Sequence, residues 1–558
     1  VSTAISKSFL KQFTLTVCFL SFGSLASAQS DTESRKDKTD WNKPIAVATI
    51  ASIERVLDDI DYIFATVNKP EYPAMIKGFL AQYRNLEGLD KTKPLGAFVF
   101  LDKGISPQPV VVGFIPVKSL DELTQTLGEV GFLINPVEGQ ENRYTLALPT
   151  FSLHIKMAHG YAFLQIKSEA LDRDFYNPVE FTSALAKEYD IAGALFLSNV
   201  PQPMRMMAVD LASASMDEKL QQKPGEEDLK FQTRKETSLL ALKQFERVAQ
   251  DGEQLTVGYT LSRQNKNIQL HLGVKARPDT PLGKEFQQLS KTSSQYSYLD
   301  ENSSDYLGYA ILPLRKEIEQ KALIELLEKS TSDVPPVLLG DDENPGPVAK
   351  MLKSAKATIE AGRLDAQIQM VQTSKGKTAL IASMKISEGE TYKAGQQELF
   401  DLLGPNEPTP KFESNVAEID GVTIHSVTPP DPGQQAKDLF GENPVIFIGS
   451  NSEELWLVIG ENESLEQLKK AISLNKTRSD QRKPGNLFLV SIKFNPLIAM
   501  IGENAKDPKF VESAKVAFAS GGDLMTIYPK ITADQASLNL EFGEGFIRLI
   551  SLAIANRK

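Results

Sequence analysis

The 558-residue chain has one cysteine, Cys18, four histidines and two tryptophans. Because Cys18 lies in the N-terminal apolar run, the rest of the chain has no disulfide, no thiol nucleophile and no cysteine metal ligand. His154, His159, His271 and His425 are scattered, and none has a partner at metal-ligand spacing. No Gly-x-Ser-x-Gly nucleophile elbow occurs, and Gly543-Glu544-Gly545 lacks the lysine and third glycine of a phosphate-binding loop. Beyond the leader no run reaches the ~20 apolar residues of a membrane span, so no transmembrane anchor is expected in the mature chain. A formal net charge of −11 disfavours nucleic acid and anionic membranes as partners.

What is present begins with a leader. Residues 1–28 carry Lys7 and Lys11, an apolar run from Phe13 to Phe22 and the small-residue pattern Ala26-Ser27-Ala28, which together read as a secretory signal cleaved near Ala28. The mature chain is expected to begin at Gln29 and to be periplasmic or secreted. Valine before Cys18 is too large for a lipoprotein processing site. Residues 29–43, polar and charged, read as a flexible leader.

The body reads as one unit used twice. Near the end a strand at Leu487 to Phe494, a helix from Asn495-Pro496, a hairpin from Leu524 to Phe542 and a closing helix follow one another, and Ile191 to Ser290 repeats that order. Leu195-Phe196-Leu197 answers Leu487-Phe488-Leu489, and Leu270-His271-Leu272 answers Leu538-Asn539-Leu540. Residues 44–290 and 306–556 give the same string of elements: βα, ββα, βββα, βα, ββα. The expected architecture is therefore α+β: an internally duplicated two-lobe protein with mixed or antiparallel sheets and helices packed mainly on one face. The lobes are 44–290 and 306–558, with a linker at 291–305.

Hydrophobic alternation assigns the faces. Thr256, Gln269, His271, Asp365, Gln367, Gln369, Ser537, Asn539 and Glu541 fall on one side of their strands, and Leu255, Leu270, Leu272, Leu364, Ile368, Leu538 and Leu540 on the other. The polar side is expected to meet water or a hydrophilic partner, with helices covering the apolar side.

Chemistry-bearing clusters are few. Ser473 and Lys476 satisfy Ser-x-x-Lys without its companion motifs, at a helix end where a structural role is expected. The acidic run from Gly340 to Gly346 has Pro345 at a calcium-ligand position and reads as a solvated loop, as does Glu226-Glu227-Asp228. Met204, Met206, Met207 and Met216 fill a core or form an adaptable binding surface. No catalytic, cofactor-binding or metal-ligating residue is assigned.

The stretch Gly88-Leu89-Asp90 through Leu95-Gly96-Ala97, followed by Val110 to Val117 and a capped helix, resembles large exported bacterial proteins of unknown function. That resemblance implies an extracytoplasmic protein and transfers no catalytic residue. The expected function is a noncatalytic binding or structural protein of the bacterial cell envelope, with an unknown protein or a hydrophilic ligand as partner. A carrier of a hydrophobic ligand and a hydrolase with an unrecognised site are the alternatives.

Overall fold

The computed structural model describes residues 40–103, 107–216, 220–331, 334–341, 343–373, 376–403, 410–501 and 508–555. The secretory signal at 1–28, with Cys18, and most of the 29–43 leader lie outside the described residues.

Apolar runs and alternating segments alike become strands of one antiparallel sheet. In chain order these are β1 (Ala46–Ile50), β2 (Leu95–Leu101), β3 (Pro109–Pro116), β4 (Ile134–Pro136), β5 (Arg143–Ala147), β6 (Ser152–Ala158), β7 (Tyr161–Gln165), β8 (Ile191–Leu195), β9 (Gly252–Ser262) and β10 (Asn267–Ala276). The second half supplies β11 (Tyr306–Pro313), β12 (Arg363–Gln372), β13 (Thr378–Lys385), β14 (Lys411–Ile419), β15 (Val422–Thr428), β16 (Val445–Ser450), β17 (Glu454–Gly460), β18 (Phe488–Lys493), β19 (Leu524–Ile531) and β20 (Gln535–Gly543).

From one edge the neighbours run β4-β5-β6-β7-β3-β2-β1-β8-β9-β10. Strand β10 pairs with β20, and the order continues β19-β18-β11-β12-β13-β17-β16-β15-β14. Followed inward from its free edge, each half has the same strand order. The halves share one sheet of 20 strands, in place of the separate sheets expected of two lobes.

Strands β4 and β14, the two outer edges, are absent from the string of elements expected from the sequence. The first is only three residues long, and the second, Lys411–Ile419, is polar and loses register between Glu413 and Ala417. Short, charged or bulged strands are how edges avoid pairing with other chains, and those traits also erase the hydrophobic signal. The expected correspondence of Leu195 with Leu487 does not hold by residue: Leu195 ends β8, whereas Leu487 precedes β18.

Local signals behave as their chemistry requires, with one exception. Ser52, Ser119 and Thr280 accept backbone N–H bonds at the starts of helices Ile53–Ala65, Leu120–Glu129 and Pro281–Leu289. The exception is Ser464, which has capping-box spacing to Gln467 in the sequence but is the first helical residue of Ser464–Thr477, its hydroxyl donating to the Glu461 carbonyl at 2.6 Å. Gly88 lies at φ 91°, and a Cβ there would come within 2.2 Å of the Leu123 backbone.

Helices cover both faces, which corrects the one-face expectation. On one face Leu185 of Pro178–Glu188 joins Val47, Phe98, Val112, Phe114 and Phe163, while Leu468 and Ile472 of Ser464–Thr477 join Leu307, Ile381, Trp456 and Val458. On the opposite face Leu282, Phe286 and Leu289 pack on Ala276, Ile531 and Ala536, and Ile547 of Glu544–Ala555 packs on Leu261 and Ile268.

The segment expected to be a linker is partly core. Tyr296, Tyr298 and Leu299 are buried in the second-half cluster, where the Tyr296 ring meets Trp456 edge-on with centroids 6.5 Å apart. Asp365 fastens this segment, accepting from the Ser294 hydroxyl at 2.6 Å and the Gln295 N–H at 2.9 Å. Truncating a fully buried aromatic leaves a cavity, so Tyr296→Ala should lose about 3–5 kcal/mol in a denaturant melt. A loss below about 1 kcal/mol would show the segment to be peripheral.

Candidate functional site

Cross-strand register tells which face each side chain occupies, and it reverses the expected exposure. The polar residues of the second half are buried: Asp365, Gln367, Gln369, Ser383, Ser491, Thr526 and Ser537 all lie in the interior, Gln367 with only 4% of its surface exposed. They satisfy one another. Gln367 donates to the Ser383 hydroxyl at 3.0 Å, Gln369 to the Gln367 carbonyl at 3.0 Å, and Ser304 to the Gln369 carbonyl at 3.2 Å. A buried polar group is tolerable when so paired and costs a few kcal/mol when orphaned. The core carries polar groups here because the segment 294–304 crosses this face and supplies partners.

The same face continues as a half-buried polar strip where the halves meet. Tyr528 donates to Glu541 at 2.6 Å, Asn267 donates to its other oxygen at 3.0 Å, and His271 Nδ1 lies 3.0 Å from Asn539 Oδ1. The Tyr189 ring lies over His271, with centroids 5.3 Å apart, and rests on Gly258, where a Cβ would come within 2.3 Å of the ring.

The opposite face is open at its centre. Register lines up Ile191, Tyr259, Leu270 and Leu540 in one row and Gly193, Val257, Leu272 and Leu538 in the next. Ile191 is 48% exposed, Val257 56%, Leu270 38% and Leu272 49%, all on β8, β9 and β10. This apolar floor lies between two covered ends, one under helix Pro281–Leu289 and one under Glu544–Ala555. Contiguous exposed apolar surface of this kind marks an interaction site more often than scattered single residues do.

Carboxylates cluster near one end of that floor. Arg55 pairs with Asp190 and donates to the Ala186 carbonyl at 3.0 Å, while the other Asp190 oxygen accepts the Leu261 N–H at 2.6 Å. Arg263 reaches Asp58 at 3.2 Å and Asp59 at 3.4 Å. Burial, reinforced by the Asp190 charge, raises the Asp59 carboxyl to about 6 against the attraction of Arg263 and Arg55.

The clusters singled out in the sequence resolve into structural roles. Ser473 and Lys476 both bind Asp420, at 3.0 and 2.8 Å, so the lysine serves an ion pair and not the serine. His154 sits opposite Gln165 on β6, whereas His159 occupies the turn beyond that strand with its Nε2 3.0 Å from the Phe175 carbonyl, so the two do not converge. His425 is buried against the Phe400 ring, and burial lowers its pKa. Asp341 accepts from the Glu343 and Asn344 amides of its own turn, and Glu226 binds Arg234. Of the four methionines only Met207 is exposed. Among the described residues no group of three or more His, Cys, Asp or Glu side chains is placed to hold a metal ion. No protein-family model, no curated protein and no solved structure matches the chain.

Two measurements check the face assignment and the carboxylate cluster. Gln367→Arg should lose several kcal/mol by forcing a charge into a filled interior, whereas Leu272→Asp, at a solvent-exposed position, should lose less than about 1 kcal/mol in denaturant melts. The order reverses if the polar face is the wet one. The folded Asp59 carboxyl holds its proton up to about pH 6 and the usual carboxyl only to 3.8, so stability falls as pH rises between them. Asp59→Asn should flatten that slope and stabilise the fold by about 1–2 kcal/mol at pH 8, with no difference near pH 4.

Proposed function

We propose that this chain is an exported, noncatalytic binding protein, built from two copies of one α+β unit, that holds an apolar helix of a protein partner against the centre of its sheet. Export is supported by the leader at 1–28 with its cleavage pattern. Duplication is supported by the equal strand order of the two halves, lobes 44–290 and 306–558. Its envelope location rests on the same leader.

One observation carries the binding reading: Ile191, Val257, Leu270 and Leu272 are exposed between two helix-covered ends of one face. The covered positions Ile268 and Val274 lie about 20 Å apart along β10 at ~3.4 Å per residue, which leaves about 10 Å between two flanking helices of ~5 Å radius, the width of one further helix. An amphipathic helix laid on such a floor is a recurring recognition mode. The floor lies open to solvent and is not closed over, which favours a macromolecular partner above the carrier of a free hydrophobic ligand. No helix among the described residues is long and apolar enough to cross a membrane.

The test is native mass spectrometry of the chain purified from its own cells. The expected result is a retained polypeptide that is lost from the Val257→Asp/Leu272→Asp double variant, with the melting midpoint of that variant nearly unchanged. A retained lipid-sized mass in place of a polypeptide, lost from the same double variant, would overturn this reading in favour of the carrier.

A further inference from the structure

Away from the central floor, the first half opens a cleft of about 870 Å³ between β3, β6, β7 and the segments around Trp41, Asp102 and Arg173. That volume lies within the ~300–1,000 Å³ of ordinary ligand sites. Its floor is apolar, from Val111, Leu153, Leu164 and Ile166, and its rim is charged. The second half covers the corresponding face. There helix Gly389–Leu403 sits on the sheet, with Gln396 bonded to Ser450 and Phe400 stacked on His425, and it packs along Pro347–Glu360. In the first half the helix at the same place in the chain is Leu120–Glu129, ten residues against fifteen. Its apolar contacts reach Val117, Ile155 and Ala162 and leave Val111 and Ile166 exposed.

The rim is positively biased although the protein is acidic. Asp172 is taken by Arg143 at 2.5 Å, and Asp102 accepts the Gln108 amide at 2.6 Å and faces the Arg173 charge. Among the described residues Lys103 and Lys167 make no ion pair, and Glu169 is the opposing carboxylate. Counting Arg173 with the two lysines, cations outnumber Asp102 and Glu169 by one. The guanidinium is held for use: it lies over the Phe100 ring at 4.3 Å, and Nε and Nη1 donate to the Ala170 and Trp41 carbonyls at 3.2 and 3.5 Å. Trp41, placed in the flexible leader by the sequence, is half-buried at this rim.

We propose that the cleft binds an amphipathic monoanion, its hydrocarbon part on the Val111, Leu164 and Ile166 floor and its charged head among Lys103, Lys167 and Arg173. An apolar floor without the cations would take any hydrocarbon, and the cations without the floor would take any anion. Their juxtaposition selects molecules that carry both. This site is independent of the partner-binding floor.

The chain offers its own reporter, because Trp456 is fully buried in the other half and Trp41 lines the cleft. Decanoate, below its micelle-forming concentration, should shift the Trp41 emission saturably, and the shift should vanish in Trp41→Phe. Decanol should bind at least ~10-fold more weakly and acetate should give no shift. Lys103→Gln/Lys167→Gln, at two exposed positions that leave the fold intact, should weaken decanoate about 5–10-fold and remove most of its salt dependence. Leu272→Asp, in the central floor, should leave decanoate binding unchanged. Equal binding of decanol and decanoate, an unaltered affinity in the double lysine variant, or the absence of a saturable Trp41 signal would each overturn the proposal.

Discussion

The pairing of β10 with β20 is the contact on which the molecule depends. It runs without a register break from Asn267 opposite Gly543 to Lys275 opposite Gln535, and it converts two ten-strand ribbons into one sheet. A second fastening lies beside it, where the first two described helices, Ile53–Ala65 and Glu71–Gln82, meet the last, Glu544–Ala555: Tyr62 donates to Glu544 at 2.9 Å, Ser551 to the Ile63 carbonyl at 2.9 Å and Tyr72 to the Ala555 carbonyl at 3.0 Å. Leu270 and Leu540 are paired across this seam, so the central apolar floor abuts the seam on the β10 side. The exposed residues of that floor belong to the first half, and the second half bounds it with helix Glu544–Ala555.

Much of this organisation was legible in the residues, and the failures have physical causes. Strands such as Leu95–Leu101 and Val445–Ser450 declare themselves by continuous apolar character, and capped helix starts by Ser119 and Thr280. The order of elements was readable because each strand and helix carries its own local periodicity. Edge strands β4 and β14 were not readable, since an edge is protected by the polar and irregular residues that hide it.

Exposure was misread for a different reason. Alternation tells which residues share a face and says nothing of which face is wet. Gln367 and Gln369 look like solvent residues until the segment 294–304 is laid over them, and Leu272 looks like core until the described helices leave it exposed. The pairing of Asp365 with Ser294 and Gln295 is a contact across about 70 positions of chain, which no local pattern encodes. The cleft beside Trp41 was invisible likewise, because it arises from a helix being short, a difference between the halves and not a motif within either. Buried polar groups of this kind contribute register: a one-residue slip of β12 would turn Gln367 and Gln369 to the other side and orphan Ser383 and Ser304.

The position of β20 in the chain has a consequence for biosynthesis. Strand β10 is complete at Ala276, but its partner begins only at Gln535, so a ribosome must add more than 250 residues before that seam can close. At ~5–20 residues per second the finished first half waits roughly ten to fifty seconds with the β10 edge unpaired. During that interval the β10 backbone is open to the β20 of a neighbouring nascent chain as well as to its own, and the exchanged product would repeat every hydrogen bond of the native seam. The arrangement that leaves the described sheet with two guarded edges, one short and the other polar and bulged, therefore places a long, regular and unguarded one in the middle of its synthesis.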